Sequence, residues 1–220
     1  MQVKMNDGEL ILLFPTPVIR TNIGRSFTKE EMQCILNIPM GKKHNLPILS
    51  GVQSKCFEIF DVFAEELKDI KKFCDNELKQ YMEEVEGCDT NITTLKITQS
   101  WLNRIEPQGH HALHNHRNSY LSGNLYIKCL PNDHILLTNR YRTFINPFEF
   151  PKKKDEEGNE IVTIGNTEAV TIEVKEGDFI LFPSGVPHEV SVNETKDKER
   201  ISLSFDTFPT YLPSLYPPFK

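Results

Sequence analysis

Gly87 divides this chain into two kinds of pattern, and that change limits the folds open to it. Before it, apolar residues recur at helical spacing. Thr28 with Glu31 forms a capping-box signature ahead of Met32, Ile35 and Leu36, and Pro39 closes this short helix. A longer helix is predicted from about Phe57 to Val85, where Phe60, Phe63, Leu67, Ile70, Cys74, Leu78, Tyr81 and Val85 recur at steps of three or four. Such a stripe is a packing face, and no chemistry is assigned to it. After Gly87 the period drops to two and stays there. Short β-prone runs follow one another at Leu95–Ile105, Ser122–Tyr126, Ile135–Leu137, Val170–Val174, Phe179–Phe182, Val190–Val192 and Ile201–Phe205, with turn residues between them. Many short strands after two helices predict a mainly antiparallel β fold, a jelly roll or barrel with helices packed on one face.

The same reading divides the 220 residues into a helical annex over about 27–86, a β core over about 92–206 and a proline-rich tail over 207–220, all in a single domain. The opening apolar stretch from Glu9 to Ile19, broken by Pro15 and Pro17, reads as an irregular edge strand. The region 131–169, with Asn146-Pro147 and a charged tip at 152–159, is either a solvated hairpin loop or a lid. A formal charge of −6, with lysines that sit beside acids, argues against nucleic-acid binding. The five cysteines are odd in number and contain no C-x-x-C, so neither a disulfide framework nor a zinc knuckle is indicated. Without an apolar run of membrane length or a signal-like start, a cytoplasmic location is expected. A homodimer is compatible with these features.

Chemistry concentrates in the β half. His110, His111, His114 and His116 crowd together, and His114 and His116 would share one face of an extended segment because side chains alternate along a strand. His188 follows the turn Pro183-Ser184-Gly185-Val186-Pro187 far downstream. Imidazole is the commonest metal ligand, and three of them leave coordination positions open for chemistry. Along Leu95–Ile105 the alternation puts Leu95, Ile97, Gln99, Trp101, Asn103 and Ile105 on one face, an apolar row interrupted by two amides. Asn103 either satisfies local backbone or lines a pocket. In the last strand Arg200, Ser202 and Ser204 share one face while Ile201, Leu203 and Phe205 share the other. An inward guanidinium needs an anion, since burying it alone is costly. A bound carboxylate gripped by Arg200 and Ser202 would serve. A surface pairing of Arg200 with Glu199 or Glu173 is the alternative.

The order His114-Asn115-His116, Leu121–Tyr126, Gly177–Ser184 leading to His188, and Arg200–Phe205 resembles the 2-oxoglutarate and Fe(II)-dependent oxygenases. It is most similar to a little-characterised group of them that includes proteins of bacterial viruses and bacteria, which also shares motifs like Leu13–Val18 and Trp101-Leu102-Asn103. The resemblance spans most of the chain and implies a double-stranded β-helix, the cupin-like jelly roll. It implies Fe(II) on His114, His116 and His188, and 2-oxoglutarate with its remote carboxylate on Arg200 and Ser202. Asn103 and Tyr126 become candidates for hydrogen bonds to that cosubstrate. The implied reaction consumes O2, releases succinate and CO2, and hydroxylates a small-molecule or peptidyl substrate, prolyl for example.

One departure stands out. Most of these oxygenases carry Asp or Glu at the second position of the first ligand pair, where this sequence has His116. Three neutral imidazoles leave the metal its full positive charge. Metal retention should therefore lean on the cosubstrate dianion, and on pH above the ordinary imidazole pKa of about 6.5. Alternatively His116 stands behind the metal and His110 or His111 completes the triad. Two further functions compete: a three-histidine cupin-type dioxygenase that needs no 2-oxoglutarate, and a non-enzymatic metal-binding β-barrel.

Overall fold

The computed structural model describes residues 15–41, 51–139, 151–163 and 166–211. The expected strand over Glu9–Phe14, the turn at Asn146-Pro147 and the tail beyond Tyr211 lie outside the described residues. In chain order the elements are β1 (Ile19–Asn22), α1 (Lys29–Asn37), β2 (Val52–Gln53), α2 (Ile59–Val62), α3 (Lys68–Glu84), β3 (Leu95–Ile105), β4 (His111–His114), β5 (Leu121–Lys128), β6 (His134–Thr138), β7 (Ala169–Glu173), β8 (Asp178–Pro183), β9 (His188–Val190) and β10 (Arg200–Pro209). They form two antiparallel sheets, a six-stranded one in the order β1-β8-β5-β10-β3-β2 and a four-stranded one in the order β4-β9-β6-β7. This is the double-stranded β-helix.

The capping signal of the first helix and the glycine stop of the last are both found. Thr28 caps α1 and Glu31 closes the capping box, its carboxylate also gripped by Arg25 at 2.6 and 2.8 Å. Gly87, at φ +64, turns the chain after α3. The long helix expected over 57–85 is in fact two, α2 and α3, separated by a run of turns. Phe63 and Leu67 leave helical ψ at the break, yet Phe60, Leu67, Ile70, Cys74, Leu78 and Tyr81 remain buried. The break adjusts the path without moving the stripe off the core. Near the start of the chain, strand pairing begins only at Ile19, after both prolines, because a proline has no N–H to offer β8.

The six-stranded sheet has two different faces. On one, Ile201, Leu203 and Phe205 of β10, Leu125 of β5 and Leu181 of β8 pack against the apolar stripe of α3. Burying side chains of this size contributes about 1.5–3 kcal/mol each. Gly123 lies under the Phe205 ring, where an added Cβ would come within 2.2 Å of Cζ. The other face looks toward the four-stranded sheet, and Tyr126, Ile135, Leu137, Val174, Ile180 and Phe182 form a smaller core between the two.

The single-face reading of Leu95–Ile105 needs correction. The register of β10 against β3 runs Asp206↔Gln99 and then Thr207↔Ile97, which leaves Thr98 as one extra residue. A bulge of one residue reverses which side chains point where. Leu95 and Ile97 therefore pack with Leu102 on the helical side, while Trp101, Asn103 and Ile105 face the other way. Within 131–169, β6 and β7 pair as a hairpin that completes the smaller sheet, and Lys154 bridges Glu160 in the connection. No helix among the described residues is long and apolar enough to cross a membrane. All five cysteines are free thiols.

Candidate active site

A cavity of about 180 Å³ lies between the sheets. The six-stranded sheet contributes Trp101, Asn103, Ser122, Asn124, Tyr126, Arg200, Ser202 and Ser204, and the histidines enter it from the other side. His114 ends β4 directly opposite His188, which begins β9, in an antiparallel pair. His116 lies beyond β4 rather than on it, and its backbone N–H donates to Ser184 O at 3.0 Å. That loop contact, instead of strand alternation, turns its ring back beside the other two. The potential ligand atoms of His114, His116 and His188 all lie within 4.8 Å of one another.

Hydrogen bonds at the far ring nitrogens set the tautomers. His114 Nδ1 lies 2.8 Å from Ala112 O and His188 Nδ1 lies 3.1 Å from Val186 O. His116 Nδ1 lies 2.7 Å from Asp206 Oδ1. Each partner is an acceptor, so each Nδ1 carries the proton and each Nε2 keeps a lone pair. Three lone pairs at one end of a cavity are what a borderline divalent metal ion needs. Burial and the neighbouring histidines push His188 down to about 3, and burial lowers His114 as well. Burial thus favours the neutral form of both rings, the form that a metal ligand needs.

His111 is not part of this cluster. Its ring centroid is 6.2 Å from that of His114, and burial pushes its pKa down to about 4, with His114 and Arg200 adding to the effect. It lines the cavity with a buried Nε2 that has no hydrogen-bond partner. His110 is also outside the cluster.

Arg200 is where the sequence reading and the structure part. It is buried and lines the cavity, as expected. Its anionic partner, however, is neither Glu199 nor Glu173 but Asp133, which is itself buried and takes Nε at 2.7 Å and Nη2 at closer range. Glu199 instead pairs with Lys128. Asp133 is held in turn by the backbone N–H groups of Leu130 and His134. One edge of the guanidinium is thereby fixed by the protein, and Nη1 makes only a long 3.4 Å contact with Ser191 O. Beside it, Ser202 registers with Asn103 on one strand and Tyr126 on the other. The Tyr126 hydroxyl is fully enclosed without a well-formed hydrogen bond, with the Asn124 side chain as a polar neighbour, and burial raises its pKa. A buried orphan hydroxyl costs about 1–3 kcal/mol, so its presence in the wall marks a place for a polar ligand. Asn103 belongs to a chain in which Gln53 Nε2 donates to its Oδ1, its Nδ2 donates to Ser204 Oγ, and Ser204 donates to Asn124.

Sequence reasoning missed Asp133, Asp206, Ser122, Ser184 and Gln53. Asp206 was within reach, since it continues the alternation of Arg200, Ser202 and Ser204 on the same face of β10. Asp133 gave no such signal, because its role depends on a loop meeting a strand 67 residues away.

Residues 99–206 match the model of a family described as "Putative 2OG-Fe(II) oxygenase". A comparison with curated proteins finds no match. Among solved structures, the fold is shared with a prolyl hydroxylase from Trichoplax adhaerens in complex with a hypoxia inducible factor peptide fragment, at TM-score 0.57 and 12% identity, covering 87% of this chain and 83% of that one. It is shared with HygX from Streptomyces hygroscopicus, solved with nickel and 2-oxoglutarate bound, at TM-score 0.56 and 14% identity, covering 89% and 84%. The epimerase SnoN from nogalamycin biosynthesis aligns at TM-score 0.57 and 9% identity, covering 91% and 83%. The histidine cluster and the β-helix agree with the family match: over residues 99–206 this chain is similar to that family of 2OG-Fe(II) oxygenases, and its three clustered imidazoles suit a divalent metal such as Fe(II).

Proposed function

We propose that the protein is a hydroxylase that binds Fe(II) through Nε2 of His114, His116 and His188. The remote carboxylate of 2-oxoglutarate lies against Arg200 and Ser202, with Tyr126 and Asn103 as further hydrogen-bond partners. The observation that supports this most directly is the convergence of three Nε2 lone pairs in a cavity whose wall also carries a buried arginine and an orphan hydroxyl. Along β10 the roles follow in order: Arg200 and Ser202 for the cosubstrate, Ser204 in the amide chain, and Asp206 behind the metal ligand.

Fe(II), when bound with 2-oxoglutarate, supplies O2 activation coupled to formation of succinate and CO2. The chain's own residues bind and exclude. Arg200, with one edge held by Asp133, offers its remaining N–H groups in a fixed orientation, so little entropy is lost on gripping a carboxylate. The Tyr126 hydroxyl gains the partner it lacks. Trp101 and Phe182 pack against the rings of His116 and His188, at 5.5 and 4.8 Å, and limit water at the metal end. The substrate is a peptide or a small molecule that approaches the metal from the open side of the cavity.

Aerobic incubation with Fe(II) and 2-oxoglutarate, with succinate quantified against a panel of peptides and small molecules, tests this reading. Succinate that depends on both cofactors, disappears in His188→Ala and tracks a hydroxylated product supports it. O2 uptake indifferent to 2-oxoglutarate would instead indicate the cupin-type chemistry. No turnover across the panel would leave a metal-binding β module.

A further inference from the structure

Asp206 is attached to the one member of the histidine cluster that has no backbone acceptor behind it. His114 and His188 each turn Nδ1 toward the carbonyl two residues earlier in the chain, a neutral partner supplied by the local backbone. His116 instead turns Nδ1 toward Asp206 Oδ1, 2.7 Å away and 90 residues on in sequence. The same oxygen accepts from Ser122 Oγ at 2.6 Å, and Ser122 continues to Ser184 at 2.8 Å and from there to Ser119 at 2.7 Å. Asp206 is only 8% exposed, and neither a lysine nor an arginine pairs with it among the described residues.

We propose that Asp206 is a positioning residue for the metal centre: it holds His116 as the Nδ1–H tautomer with Nε2 aimed at the metal, and through that ring supplies the negative charge that a set of three imidazoles lacks. This rests on the metal-centre reading above. A carboxylate cannot donate, so the ring must, and only one ring orientation then leaves Nε2 among the other ligand atoms. A hydrogen-bonded carboxylate also makes the imidazole a stronger donor to the metal, which a backbone carbonyl does less well. The serine chain fixes the carboxylate so that it cannot swing away. The structure thus places a carboxylate of β10 behind His116, outside the set of candidate ligand atoms.

The experiment is titration of the metal-free protein with Co(II), reading both affinity and the visible d–d spectrum of the bound ion. Wild type would be compared with Asp206→Asn, Asp206→Ala, His116→Ala and His188→Ala, and the thermal midpoint of each metal-free variant checks the fold. Asp206→Ala should weaken Co(II) binding by about 10- to 100-fold. Asp206→Asn, isosteric and still able to accept from Nδ1–H but uncharged, should fall between the two with a wild-type-like spectrum. If Asp206→Asn and Asp206→Ala both bind within twofold of wild type while His188→Ala loses the metal, the inference is wrong and the metal centre stands. If His188→Ala binds as wild type does, the metal centre itself is wrong. A His116→Ala protein that keeps full affinity while Asp206→Ala loses it would make Asp206 a direct ligand, which also overturns the proposal.

Discussion

Arg200 and Asp133 illustrate how a buried pair can mask a binding role. Each is almost wholly enclosed, and together they cancel charge that neither could carry alone. Arg200→Ala should therefore destabilise the protein by about 3–5 kcal/mol, because it strands the Asp133 carboxylate. Arg200→Met with Asp133→Leu should recover most of that loss in urea unfolding. Equal stability of the single variant and wild type would contradict the pairing. An activity loss in Arg200→Ala alone would consequently say little about the cosubstrate, whereas weakened 2-oxoglutarate binding in the stable double variant would speak to it directly. His111 makes a second point at this scale. Its folded pKa of about 4 lies below the unfolded value of about 6.5, so between those pH values the unfolded chain holds a proton that the native one does not. Stability conferred by the neutral ring is full above about 6.5 and is lost as pH falls toward 4, by up to ~1.4 kcal/mol per pH unit. His111→Phe should flatten this slope in chelator-treated protein, measured by urea unfolding at pH 7 and pH 5. His114 and His188 contribute with the same sign in both proteins, so the difference isolates His111.

At the scale of elements, β10 and its neighbours decide the site. One face of β10 builds the helical core through Ile201, Leu203 and Phe205, while the other presents Arg200, Ser202 and Ser204 to the cavity and sets Asp206 behind His116. That alternation was legible, because a strict period of two in a sheet with two unlike faces leaves no other assignment. The partner strand β3 was not, since the unpaired Thr98 reverses its faces midway and nothing in the residue pattern marks a bulge there. In β5 the close approach of two strands' side chains forces a glycine. Gly123→Ala would drive a methyl group into the Phe205 ring, and a cost of about 1–3 kcal/mol is expected, visible as a lowered thermal midpoint. Phe205→Leu in the same chain should return part of it. An unchanged midpoint for Gly123→Ala would mean that the ring moves aside freely.

For the whole molecule, the candidate site is a joint between the two sheets. His114 and His188 belong to the four-stranded sheet, whereas Arg200, Ser202, Tyr126 and Asn103 belong to the six-stranded one. A metal chelated by a cosubstrate that reaches Arg200 would tie one sheet to the other, and only the folded protein can offer both halves. Ni(II) with an inert 2-oxoglutarate mimic should accordingly raise the thermal midpoint by more than the sum of the shifts that each produces alone. A ligand present at a hundred times its Kd stabilises by about 2.7 kcal/mol. Additive or absent shifts would mean that the two groups do not share a site.

The sequence by itself determined the mainly antiparallel β class and the inward arginine of β10, and it narrowed the candidate ligands to a few histidines, because periodicity, capping and the alternation of a strand are local properties that a short stretch expresses without help from distant residues. Only the tertiary structure decided which anion holds Arg200, which carboxylate stands behind His116 and which face of β3 lines the cavity. Each of these depends on where two remote segments meet and on the register in which they pair, and a buried charge accepts whichever partner that meeting provides.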